Sequence, residues 1–159
     1  MVRLSMRRLV VALLMSVSVS CAAPPRLFTY STALAPTTDH RPGERLAITW
    51  RATPLAIEAE PSTHEQICVG VAGPYANEEE QKRAGGIATG ACPVSGDRVV
   101  VASTARDVDV SRSDLISQEL TLPGSLLPGL YNLVAVRVTT AYRSGGSNTT
   151  TMSIRILAP

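Results

Sequence analysis

Apolar and polar residues alternate along much of this chain. Residues 45–53 place Leu46, Ile48 and Trp50 on one side and Ala47, Thr49 and Arg51 on the other. A period of two marks a half-buried strand. Residues 66–72 repeat the pattern, with Ile67, Val69 and Val71 in one row and Cys68 and Gly70 in the other. In residues 127–138 both rows beyond Tyr131 are apolar: Leu133 and Ala135 in one, Val134, Val136 and Val138 in the other. That is the pattern of a strand covered on both faces, and it predicts the central strand. Further strands are expected at 27–31, at a sheet edge, and at 98–103. Two more are expected at 115–122, with Ile116, Leu120 and Leu122 inward, and at 150–156, with Met152, Ile154 and Ile156 on one face. Residues 106–114 are polar and alternating.

Turn chemistry separates these segments. Residues 35–43 hold Pro36, Asp39, Pro42 and Gly43 and read as a loop; Ser95-Gly96-Asp97, Pro123-Gly124 and residues 144–147 read as turns. Residues 54–62 leave room for a short strand before Pro61. The stretch 73–91, from Gly73 to Ala91, carries Glu78-Glu79-Glu80, Gln81-Lys82-Arg83 and Gly85-Gly86 and few apolar side chains. It is expected to be a long loop with room for one helical turn, either a recognition loop or a solvated insertion. Seven to nine short strands without a long helix predict an all-β antiparallel sandwich.

Pro128-Gly129-Leu130-Tyr131-Asn132-Leu133 resembles the tyrosine corner of immunoglobulin-like sandwiches, in which a Tyr at the strand mouth bonds back to the main chain. An antibody-type domain has Cys where Leu133 stands, so the resemblance is to the wider class. Pro42-Gly43 followed by the strand carrying Trp50 is similar to an early strand of exported bacterial sandwich domains. Trp50 and Tyr131 are the expected core anchors, since aromatic residues make up only 4% of the chain.

The N-terminus reads as an address. Arg3, Arg7 and Arg8 precede an apolar run beginning at Leu9, and the small residues Ser16, Ser18 and Ser20 follow. That order predicts a signal peptide over 1–20, with an apolar run too short to span a bilayer. Ser18-Val19-Ser20-Cys21 resembles the bacterial lipobox, which implies lipidation of Cys21, a tether over 21–26, and a sandwich domain over 27–159. The alternative is cleavage after Ala22 and release of a soluble secreted or periplasmic protein. With Cys21 consumed by lipid, Cys68 and Cys92 remain of the three cysteines. Export places them in an oxidising compartment, where a disulfide is expected; a two-Cys metal site has no second ligand pair nearby. Because Cys68 lies opposite the Ile67/Val69/Val71 row, that bridge would tie the 73–91 excursion to the sheet and would not join two sheets.

Charge adds an exclusion. Without the three arginines of the signal peptide, 12 of the 15 basic residues remain against 13 acidic ones, a net charge of −1. That balance carries no footprint for nucleic acid. Catalytic motifs are sparse. His40 and His64 lie in Pro-flanked segments, Lys82 is the only lysine, and no nucleophile elbow or phosphate-cradling loop is present. Asp107, Asp109 and Asp114, with Ser111, are weak oxygen-ligand candidates for Ca²⁺ without the Gly and distal Glu of an EF-hand. No cofactor is expected. The function expected is a binding or structural module of the bacterial envelope, held at the membrane by its lipid and contacting another envelope protein or a glycan. A soluble enzyme inhibitor or small enzyme on the same scaffold is the alternative.

Overall fold

In the computed structural model the described residues are 26–34, 38–55, 63–84, 92–93, 100–140 and 145–159. The segment read as a signal peptide, Cys21 and the tether up to residue 25, the 56–62 segment with room for a short strand, residues 85–91 of the 73–91 stretch and the 95–97 turn lie outside them. Among the described residues eight strands form two facing sheets: β1 (Phe28–Thr32), β2 (Asp39–His40), β3 (Arg45–Pro54), β4 (His64–Tyr75), β5 (Val100–Val108), β6 (Ile116–Thr121), β7 (Gly129–Thr140) and β8 (Gly145–Ile156), with one short helix, α1 (Glu78–Arg83), after β4. One sheet runs β1-β3-β6 and the other β2-β8-β7-β4-β5. All pairs are antiparallel except β2 with β8. Taking β1, β3 and β6 as A, B and E, and β4, β5, β7 and β8 as C, C′, F and G, the order is immunoglobulin-like. The N-terminal strand is split. β1 pairs with β3, and the chain then crosses to the other sheet as β2.

The inward rows meet in one core. Leu46, Ile48 and Trp50 of β3 and Ile116 and Leu120 of β6 face Ile67, Val69 and Val71 of β4, Tyr131, Leu133 and Ala135 of β7, and Ile154 and Ile156 of β8. Each Val, Leu or Ile among them contributes about 1.5–3 kcal/mol when fully buried. β7 is the middle strand of its sheet, and its second face is also covered: Val134 and Val136 pack with Cys68 and the half-buried Cys92 and Val138. The Cys68–Cys92 disulfide, Cα atoms 5.5 Å apart, therefore lies on the outer face of the five-stranded sheet. Gly70 stands in the same row because Pro93 lies on it; a Cβ there would come within 2.7 Å of Pro93 Cγ.

Several boundaries differ from the sequence expectation. β4 runs past Ala72 to Tyr75 through a register shift and a cis Gly73–Pro74 bond, so the excursion begins later than Gly73. Gly73 has φ of +140°, and a Cβ there would lie 2.7 Å from the Tyr131 ring; only a hydrogen fits. α1 is the short helical turn for which the 73–91 stretch left room. It is capped by Asn77, whose Oδ1 accepts from Glu80 N at 2.8 Å, while Glu80 Oε2 accepts from Ala76 N at 2.8 Å, a close variant of the capping box. β5 continues through Arg106 and Asp107, which pair with Ile67 and Gln66 at the sheet margin, where charge is tolerated. β8 begins at Gly145 inside the expected 144–147 loop, since backbone pairing with Thr139 and Thr140 needs no large side chains. No helix among the described residues is long and apolar enough to cross a membrane.

Candidate functional site

The crossing from β1 to β2 leaves a recess of about 260 Å³ between the sheets, walled by Leu34, Leu46, Ile48, Leu133 and Met152 with His40 and Glu44 at one side. Gly43, at φ +80°, closes the turn 41–44, in which Glu44 N donates to Arg41 O at 3.1 Å. The turn carries the Glu44 carboxylate back over β2. Its Oε1 lies 2.9 Å from Nδ1 of the buried His40, and its Oε2 accepts from Arg41 N at 2.8 Å. The His40 hydrogen bond, helped by the Arg41 amide, holds the Glu44 carboxyl below its ordinary value. A carboxylate on Nδ1 fixes the tautomer and orientation of an imidazole. The same contacts lock the β2–β3 corner. His64 is exposed at the start of β4 and pairs with Thr140, whereas His40 pairs with Ile156 beside Gly129, so the two histidines stand at opposite ends of the sheet.

A second polar group closes the edge of β1. Glu65 of β4 is buried. Its Oε1 accepts from Thr29 Oγ1 at 2.9 Å and Thr139 Oγ1 at 3.1 Å, and its Oε2 accepts from Tyr30 N at 3.1 Å. Arg137 of β7 places Nε 3.4 Å from the same carboxylate, and its Nη1 donates to Tyr30 O at 3.1 Å and to Thr29 Oγ1. The outward main-chain groups of Tyr30 are thus bonded by side chains from the opposite sheet. Sequence reasoning passed over this pair, although both residues sit in register with inward rows: Glu65 with Ile67 and Val69, Arg137 with Tyr131, Leu133 and Ala135.

Gln118 is another buried polar residue in phase with apolar neighbours, Ile116 and Leu120. It accepts from Trp50 Nε1 at 3.1 Å and donates to Thr104 O at 3.1 Å across the sheets. Trp50 and Tyr131 are both buried, at 2% and 1% exposure. Tyr131 Oη donates to Leu127 O at 2.9 Å, the geometry of a tyrosine corner. α1 is fastened by the buried Gln81, whose side-chain Nε2 donates to Tyr131 O at 2.6 Å and whose main-chain carbonyl accepts from Asn132 Nδ2 at 3.0 Å.

The three aspartates line one recess with Arg112 and Tyr30, but each is bonded to a different partner. Asp107 Oδ1 accepts from Gln66 Nε2 at 3.0 Å, Asp109 Oδ1 accepts from Ser111 N and Oγ at 3.0 and 2.6 Å, and Asp114 pairs with Arg112 at 2.7 Å. The Ser111 bonds hold Asp109 below its ordinary value. Among the described residues no three His, Cys, Asp or Glu side chains group so as to hold a metal ion.

No family model and no curated protein matches the chain. Among solved structures it is similar to AggA, the major subunit of aggregative adherence fimbriae type I from Escherichia coli, at 15% identity and a TM-score of 0.31, over 82% of this chain and 93% of that one. The sandwich assignment rests on the strand order and the two-sheet core described above.

Proposed function

We propose that this chain is an exported β-sandwich, lipid-anchored through Cys21, that serves as a binding or structural module of the bacterial cell envelope. The observation that carries the reading is the Cys68–Cys92 disulfide, which belongs to an oxidising compartment. Arg7-Arg8, the apolar run and Ser18-Val19-Ser20-Cys21 supply the export and anchoring signals. Stable anchoring takes more than one acyl chain, which a modified N-terminal Cys can carry. A partner protein or glycan would meet the exposed, charged face of α1, where Glu78, Glu79, Lys82 and Arg83 stand in solvent. The test is the intact mass of the protein recovered from membranes. A chain beginning at an acylated Cys21 and lacking two hydrogens at Cys68 and Cys92 supports the reading. A soluble chain beginning at Ala23 removes the anchor.

A second reading, a small enzyme on the same scaffold, draws on the His40–Glu44 pair beside the recess. Turnover in an ester and amide substrate panel that disappears in His40→Gln would support it; equal rates in both chains would end it.

A further inference from the structure

Sheet edges expose unpaired main-chain donors and acceptors, and natural sheets guard them with charge, proline, bulges or covering groups. The edges of this sandwich are treated unequally. β1 is short, and outward groups at its centre and start are bonded: Phe28 N donates to Val110 O at 2.8 Å, and Tyr30 N and O are held by Glu65 and Arg137. β5 carries Arg106 and Asp107, and β6 carries the exposed Glu119. β8 has none of these devices before its last residues. Residues 145–153, Gly-Gly-Ser-Asn-Thr-Thr-Thr-Met-Ser, contain no charge and no proline, and the pairing with β7 runs without a register shift. β2 covers only Arg155 and Ile156. Among the described residues no other strand lies beyond β8.

The bonds to the β2 segment show which residues point outward. Arg155 N donates to Thr38 O at 2.6 Å and Leu157 N to His40 O at 2.8 Å. In an extended strand N–H and C=O of one residue share a side, and the side alternates. Ser147, Thr149, Thr151 and Ser153 therefore direct their main-chain groups away from β7. These form an open row about 20 Å long at the usual strand rise, rich in β-branched threonine, which favours strand geometry.

We infer that this edge of β8 pairs antiparallel with the same edge of a second copy of the chain. The segment is self-complementary. With Thr149 on a two-fold axis, Ser147 stands opposite Thr151 of the second copy and Gly145 opposite its Ser153, so outward groups meet outward groups. No like charges are brought together, and Thr and Ser pair well across strands. β2 limits the register, because Arg155 is already bonded to Thr38 and stops further sliding. An isologous interface of this kind closes at two subunits and joins the two five-stranded sheets into one. The inference stands apart from lipid anchoring and holds for an anchored or a released chain.

The test uses the full exported chain in density-matched detergent. Sedimentation gives the protein mass across a wide concentration range, and amide exchange is read at single residues. The expected result is a dimer at high concentration, with the amides of Ser147, Thr149 and Thr151 slowed by about tenfold or more relative to the dilute chain. Thr151→Pro removes an outward donor and leaves the β7 ladder untouched. Thr149→Lys sets two cations face to face on the axis. Both variants should be monomeric, with melting curves like that of the parent. If Thr151→Pro does not fold, Thr149→Lys alone decides. A parent chain that stays monomeric, a dimer that survives Thr149→Lys, or protection that arises only when an unrelated extended peptide is added would overturn the inference.

Discussion

The hydroxyl of Tyr131 donates to the carbonyl of Leu127, four residues back along the chain, at 2.9 Å. This bond fixes how β7 leaves its Pro-Gly corner, and the ring it orients occupies the space left by the missing side chain of Gly73. Tyr131→Phe keeps the ring and loses the bond, so urea unfolding should show a loss of about 1 kcal/mol. Gly73→Ala should cost more, about 1–3 kcal/mol or above, because it adds both a clash and a strained φ.

Gln118 ties the two sheets through Trp50 and Thr104. Replacing it with Leu leaves the indole N–H and a carbonyl buried without a bonding partner in this amide. The expected loss is about 1–3 kcal/mol, read by denaturant titration, with Trp50 fluorescence reporting the altered surroundings.

The Glu65–Arg137 group predicts strong non-additivity. Arg137→Ala leaves a carboxylate that is 1% exposed without its cation, and the loss should reach about 3–5 kcal/mol. Glu65→Gln with Arg137→Met should lose less than the two single changes together. A double-mutant cycle by equilibrium unfolding measures the difference.

Stability should respond to acid through Glu44. Its folded pKa lies below the ordinary 4.5, so the ionised form is the one the fold favours. The contribution is complete above the ordinary value and disappears as pH falls from there through the lower folded value. Melting temperatures of the parent and of Glu44→Gln should therefore differ at neutral pH and converge in acid. A difference that persists unchanged in strong acid would refute this account.

Burial raises the pKa of Tyr30, Tyr75 and Tyr131 above the ordinary 10.0. Here the neutral form is favoured in the fold, and its stabilisation is present below that value and lost as pH rises through the higher folded ones. An absorbance titration should show these tyrosines ionising late, with alkaline unfolding following, and Tyr131→Phe should remove one late-ionising group.

The parts of the fold legible in the sequence were those set by apolar periodicity. Leu46, Ile48 and Trp50 face the core because they alternate with Ala47, Thr49 and Arg51. Cys68 lies on the outer face because it is out of phase with Ile67 and Val69. β7 is covered on both sides because both its rows are apolar. The unread parts depend on side chains meeting across the chain. Gln81 sits in an acidic and basic run that reads as solvated, yet it is buried because Tyr131 O and Asn132 lie within reach. β2 has only two residues and is held by backbone bonds to β8, which leave no apolar signature. Glu65, Gln118 and Arg137 break inward rows at single positions. That phase was the available signal, and charge or amide character hid it. The His40–Glu44 contact arises from a turn at Gly43, which positions a carboxylate that sequence spacing alone does not aim.

Glu65 and Arg137 finish β1 from within, using side chains of the facing layer in place of another strand. A flank sealed in this way offers no template to a neighbouring polypeptide. The molecule is therefore lopsided toward aggregation: growth by strand addition is hindered at the middle of its first strand, and a chain that frees Tyr30, such as one lacking Arg137, should bind a fibril-reporting dye faster than the parent on agitation.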